Sequence, residues 1–142
     1  MKKMRFVIAL ALIIASICAL NIVAYADNSV GAMTGAKSAN AGGYYFWDYD
    51  VNDYILVPYG TLCQNGSQGS AVKAIQFSLS EISEYRNDIA MYPGTVDSLY
   101  GSNTASAVRR YQYCRGVSAD GIVGSQTWPL LQNEYGLITG TF

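Results

Sequence analysis

Asp97-Ser98-Leu99-Tyr100-Gly101-Ser102-Asn103-Thr104 and Asp120-Gly121-Ile122-Val123-Gly124-Ser125-Gln126-Thr127 share the spacing D-x-[LI]-[YV]-G-S-[NQ]-T, offset by 23 residues. Each position has a physical task. The aspartate holds a turn through its own backbone, the apolar pair points inward, and the glycine is free to take a positive φ. Ser or Thr then offers a hydroxyl to the unpaired N–H groups of a new helix. Two such boxes, each opening a helix, set the architecture.

Outward from the boxes the pattern is helical. Ala71, Val72, Ile75, Leu79 and Ile82 form one stripe after the cap candidates Ser67-Gln68-Gly69-Ser70, which predicts a helix over 70–84. A second helix is expected over 103–113, with Ala107, Val108 and Tyr111 inward and Ser102 as cap. A short third helix is expected from Ser125, carrying Trp128 and Leu131, with Pro129 tolerated in its first turn.

Upstream, residues 44–59 hold seven aromatics: Tyr44, Tyr45, Phe46, Trp47, Tyr49, Tyr54 and Tyr59. Their partial alternation suggests an extended segment with mixed faces. Two uses are open: the rings stack on a sugar beside Asp48, Asp50 and Asp53, or they enlarge a small core. Residues 27–43, rich in Asn, Ser, Gly and Ala, read as a flexible linker. Before it, Lys2, Lys3 and Arg5 precede an uncharged run from Phe6 and the small-x-small site Ala24-Tyr25-Ala26, so residues 1–26 read as a secretory signal peptide. The alternative is a membrane anchor through residues 6–26, since about 20 uncharged residues can span a bilayer.

Composition excludes several functions. The chain of 142 residues has no histidine, which removes Ser-His-Asp and Cys-His catalysis and histidine-ligated zinc. A formal charge of −1 offers no field for nucleic acid. Cleavage after Ala26 would remove three basic residues and no acidic one, taking that charge to −4. Cys63 and Cys114 then remain in an oxidising compartment, where an even pair implies a disulfide; two buried thiols are the alternative. No metal site and no cofactor is expected.

These elements together resemble the type-1 peptidoglycan-binding domain, a small three-helix wall-binding module. The resemblance rests on Gly66-Ser67-Gln68-Gly69, Val72-Lys73-Ala74-Ile75-Gln76 and Leu79, both boxes, Ala107-Val108-Arg109-Arg110-Tyr111-Gln112, and the run from Gly116 to Trp128. Ser98 stands where the family usually has glycine, and residues 83–95 make a long connection. The implied fold is all-α: a three-helix bundle over 60–135, followed by a tail at 136–142. The implied function is noncatalytic recognition of peptidoglycan stem peptide and amino sugar by a secreted, wall-located protein, with a cell-wall enzyme as a further partner and no membrane partner once the signal peptide is cleaved. By position, the ligand candidates are Asp97, Tyr100, Arg109, Gln112, Asp120, Ser125, Gln126, Thr127 and Trp128. Arg109 and Arg110 suit a stem carboxylate. Each candidate has a structural competitor: the aspartates as turn holders, Ser125 and Thr127 as caps, Trp128 as core, and Gln76 and Gln112 as buried amides tying helix to loop.

Two other functions compete. One is a small wall hydrolase using a carboxylate pair drawn from Asp48, Asp50, Asp53, Glu81, Glu84 and Asp88. The other is a protein-binding or inhibitory module, prompted by a distant likeness of Cys114-Arg115-Gly116-Val117 to the cysteine-switch segment of metalloprotease propeptides.

Overall fold

A continuous apolar stripe drives the first helix. Val72, Ile75, Leu79 and Ile82 are fully buried along α1 (Ser70–Arg86), which stops where Asn87 turns left-handed at φ 52°. The computed structural model describes residues 42–141; the expected signal peptide, and the linker as far as residue 41, lie outside the described residues. The chain continues through a 3-10 turn (Ile89–Met91), α2 (Ser102–Arg115) and α3 (Thr127–Thr139). Gly116, at φ 69°, ends α2 in the same left-handed way.

The fold is not strictly all-α. Ahead of the helices, β1 (Gly43–Asp48) pairs antiparallel with β2 (Asp53–Pro58), setting Tyr44 opposite Val57 and Phe46 opposite Ile55. Asp48 organises the turn between them: its carbonyl accepts from the Asn52 N–H at 2.9 Å and its carboxylate from the Asp50 N–H at 3.0 Å. The inner face carries Phe46 and Val57, both fully buried, and packs on α1 and α3. Trp128 ties it down. Its ring stacks on Tyr44 with centroids 6.1 Å apart, meets Phe46 at 5.7 Å, and its indole N–H donates to the Thr61 carbonyl at 2.9 Å. The Tyr135 hydroxyl adds a bond to the Trp47 carbonyl at 2.6 Å. The inner rings of the aromatic segment therefore enlarge the core. The sequence pattern obscured this because the outer face is aromatic too: Trp47 and Tyr54 meet edge to face at 4.8 Å.

The helix starts differ from expectation. Gly69 and Gly101 precede α1 and α2, and neither helix has a side-chain cap. Ser102 is the first helical residue rather than the cap, and Ser67 accepts from the Gln64 N–H instead. Helix α3 begins at Thr127, two residues later than expected, and runs beyond Tyr135 to Thr139. Pro129 sits in its first turn, where a missing N–H costs nothing. The long connection after α1 is pinned: Asp88 accepts from the Ala90 N–H and pairs with Arg110 at 2.9 Å, while Met91 plugs the core.

The expected disulfide is absent. Cys63 and Cys114 are joined by no bond. Cys63 exchanges two backbone hydrogen bonds with Val123, at 3.0 and 2.8 Å, and is buried as a small apolar residue; burial pushes its thiol pKa up. Cys114 packs against the core from the last turn of α2. The hairpin supplies the extra core that a domain this small needs, and with it the case for a covalent staple weakens.

Buried phenols make this core sensitive to alkali. Tyr111 is fully buried and Tyr100 nearly so, and burial pushes both hydroxyl pKa values well up, with the nearby Glu134 carboxylate adding to the effect at Tyr111. A raised folded pKa means the folded state keeps protons that the unfolded chain releases. The stabilisation is complete below the ordinary tyrosine value near 10 and is lost as pH climbs above it. Each phenol is expected to contribute a slope of about 1.4 kcal/mol per pH unit there. Denaturant titrations between neutral pH and strong alkali check this. Tyr111→Phe should remove one phenol's share of the slope, about 1.4 kcal/mol per pH unit, and an unchanged slope would refute the assignment.

Candidate functional site

Two buried glutamines organise the surface that the boxes form. Gln76, on α1, donates from Nε2 to Asp97 Oδ1 at 2.9 Å, to the Leu99 carbonyl at 3.0 Å and to Thr104 Oγ1 at 3.2 Å. Its Oε1 accepts from the N–H groups of Asp97 and Ser98. Gln112, on α2, donates to Asp120 Oδ1 at 3.1 Å, to the Ile122 carbonyl at 2.9 Å and to Thr127 Oγ1 at 3.1 Å, and accepts from the Gly121 N–H at 2.9 Å. The same set of partners recurs, residue for residue. Each aspartate also accepts from the N–H two residues on, at Leu99 and Ile122. The hydrogen bond from Gln76 is the largest effect holding the Asp97 carboxyl below its usual pKa, and the Leu99 N–H adds to it.

Positive φ falls at the second position of each box, not at its glycine. Ser98 has φ 65° and Gly121 φ 76°, whereas Gly101 has φ −98°. Serine at position 98 therefore accepts a left-handed strain that glycine escapes at 121. The loop before α1 bridges the two boxes: Gln68 pairs with Leu99, Gly66 and Ser67 exchange bonds with Tyr100, and Cys63 pairs with Val123.

The structure sorts the sequence candidates into two groups. Gln112, Asp120 and Thr127 meet in one network; Asp97 belongs to the other, on Gln76. Tyr100 is buried and its hydroxyl donates to the Gly121 carbonyl at 2.7 Å. Trp128 is fully buried beneath the hairpin, so its ring faces core. Arg109, Ser125 and Gln126 remain exposed. Arg109 lies across Gly121, where an added Cβ would stand 3.1 Å from its Nε and 3.2 Å from its Cγ. Arg110, the other cation considered for a carboxylate, is engaged by Asp88 and lies 5.8 Å over the Tyr113 ring. Sequence reading missed Lys73, which pairs with Asp48 and, at 3.3 Å, with Asp50. The available signal was its offset: Lys73 precedes Gln76 by three residues, as Arg109 precedes Gln112.

A three-helix unit built on two glutamine-locked boxes defines the class. Residues 68–131 match the family model of the putative peptidoglycan binding domain. The chain is 41% identical over 66 residues to an uncharacterised Kitasatospora aureofaciens protein, covering 46% of this chain and 51% of that one. It is 43% identical over 60 residues to the Bacillus licheniformis N-acetylmuramoyl-L-alanine amidase CwlL, covering 42% of this chain and 16% of the amidase. The zinc D-Ala-D-Ala carboxypeptidase of Streptomyces albus G is 34% identical over 106 residues, with 71% of this chain and 35% of that enzyme covered. The chain thus spans about half or less of the length of these relatives. Among solved structures, a peptidoglycan-binding protein from Clostridioides difficile, in complex with glutamine hydroxamate, aligns with TM-score 0.51 and 27% identity over 64% of this chain and 57% of that one.

Proposed function

We propose that this protein is an exported, noncatalytic peptidoglycan-binding protein, which holds stem peptide and adjoining amino sugar along the surface of the second box. The observation that carries the reading is the family match over 68–131, which takes in both glutamine networks. Similarity to the carboxypeptidase supports a larger unit, because a stretch covering 71% of the chain necessarily includes the hairpin. Buried Gln112, Thr127, Tyr100 and Trp128 act as scaffold; Arg109, Ser125 and Gln126 present polar groups to the ligand.

Hydrolysis by a carboxylate pair fits the geometry poorly. Asp48 and Asp50 are both paired with Lys73, and Asp88 is paired with Arg110. Each of these carboxylates is taken up by a cation of the chain, and no two of them are set facing each other as an acid and base pair would be. A cysteine-switch role is disfavoured because Cys114 sits within α2, packed against the core, rather than on an extended segment.

The test is cosedimentation of the purified protein with insoluble peptidoglycan, with the supernatant assayed for released muropeptides. Recovery in the pellet without release is expected. Equal recovery with and without wall would sink the binding reading, and sustained release of muropeptides would replace it with the enzymatic one.

A further inference from the structure

Val72-Lys73 precedes Gln76 on α1, and Val108-Arg109 precedes Gln112 on α2, at the same spacing. Both glutamines grip their boxes through equivalent atoms, and the second residue of each box is left-handed, at φ 65° and 76°. Helix geometry fixes side chains three residues apart on one face, so the two cations project from the same place in two equivalent frames.

Their fates differ. Lys73 is satisfied within the chain by two carboxylates of the hairpin turn, Asp50 and the buried Asp48. Arg109 has no ion pair or hydrogen bond among the described residues, although it is laid across Gly121. At the first box the chain itself shows which chemistry this position takes: a carboxylate brought down onto the cation. The second box has the same position, with a planar donor fork in place of an ammonium and no acid paired to it among the described residues.

We propose that Arg109 is the seat of a free carboxylate of the wall stem peptide, and that the Asp48–Lys73 pair is its internal counterpart, closed by the hairpin. The proposal rests on the wall-binding reading above and names the ligand group that reading leaves open. Glycine at 121 suits the seat, since its φ of 76° disfavours a side chain and an added Cβ would press on the stem of Arg109.

The full chain and its Arg109→Gln and Arg109→Lys variants are to be titrated against insoluble peptidoglycan. One portion of the wall is left native and the other has its carboxyl groups converted to methylamides by carbodiimide coupling. Native protein is expected to bind the amidated wall at least about tenfold more weakly, the range for a charge-assisted bond. Arg109→Gln should show that loss on native wall and no further loss on amidated wall. Arg109→Lys should fall between them. Melting temperatures should match throughout, because Arg109 is exposed and holds no hydrogen bond or ion pair among the described residues. If Arg109→Gln holds native wall as tightly as the parent, or if amidation weakens parent and variant alike, the carboxylate seat is wrong and wall binding stands. If the parent binds neither wall, the wall-binding reading itself fails and the seat falls with it.

Discussion

Gln112→Leu is expected to cost about 3–5 kcal/mol of stability, enough to lower the melting temperature by roughly 15–30 °C in a domain of this size. Leucine nearly preserves the volume, so packing is held constant and the change isolates the hydrogen bonds. What it strips away is a buried amide that satisfies Gly121 N–H, the Ile122 carbonyl, Thr127 Oγ1 and one oxygen of Asp120. Leaving several of these unpaired inside the domain costs far more than the net value of the bonds themselves. Gln112→Glu is expected to be at least as damaging at neutral pH, since a carboxylate donates nothing and would face that of Asp120. Thermal unfolding followed by circular dichroism measures both. A loss below 1 kcal/mol for Gln112→Leu would mean that the amide network is incidental, and would return Gln112 to the list of ligand-contacting groups.

The glutamine networks also mark what could be read without coordinates. Helix stripes depend on local period, and Val72, Ile75, Leu79 and Ile82 announce α1 because a single face carries them. The two boxes were legible because the turn-holding aspartate and the hydroxyl at the eighth position are local features. Their partners were less so: Gln76 reaches Asp97 across 21 residues, and the hydroxyl of Thr104 accepts from that amide rather than capping α2. The left-handed position was read at the box glycine, whereas it lies at Ser98 and Gly121, because the aspartate turn is tighter than the spacing alone suggests. The hairpin and the Lys73–Asp48 pair are tertiary. The strand pattern was blurred by rings on both faces, and nothing in a list of carboxylates says which one will meet a lysine 25 residues on. The disulfide expectation used compartment and parity, which say nothing about where two cysteines lie in space.

Trp128→Ala should be as severe as the loss of Gln112, and for a different reason. Removing a fully buried indole leaves a cavity that the surrounding backbone only partly closes, for which about 3–5 kcal/mol is the usual cost. The position is also the junction between the hairpin and the helices. Tyr44 and Phe46 rest on this ring, and the Thr61 carbonyl at the hairpin's exit loses its indole donor. The consequence should therefore be uneven. Helices α1 and α2 keep their own stripe and both glutamine networks, while the hairpin loses its principal contact on α3. Hydrogen exchange should show the amides of residues 43–58 opening well before those of α1. Trp47, the other tryptophan in the chain, reports the change by fluorescence. Trp128→Phe keeps a ring for Tyr44 and should recover most of the stability, short of the bond to Thr61, which is worth about 1 kcal/mol. Uniform exchange across hairpin and helices in Trp128→Ala would show instead that the two unfold as one cooperative unit. The closed Asp48–Lys73 pair would then be fastened by the whole domain rather than by this one ring.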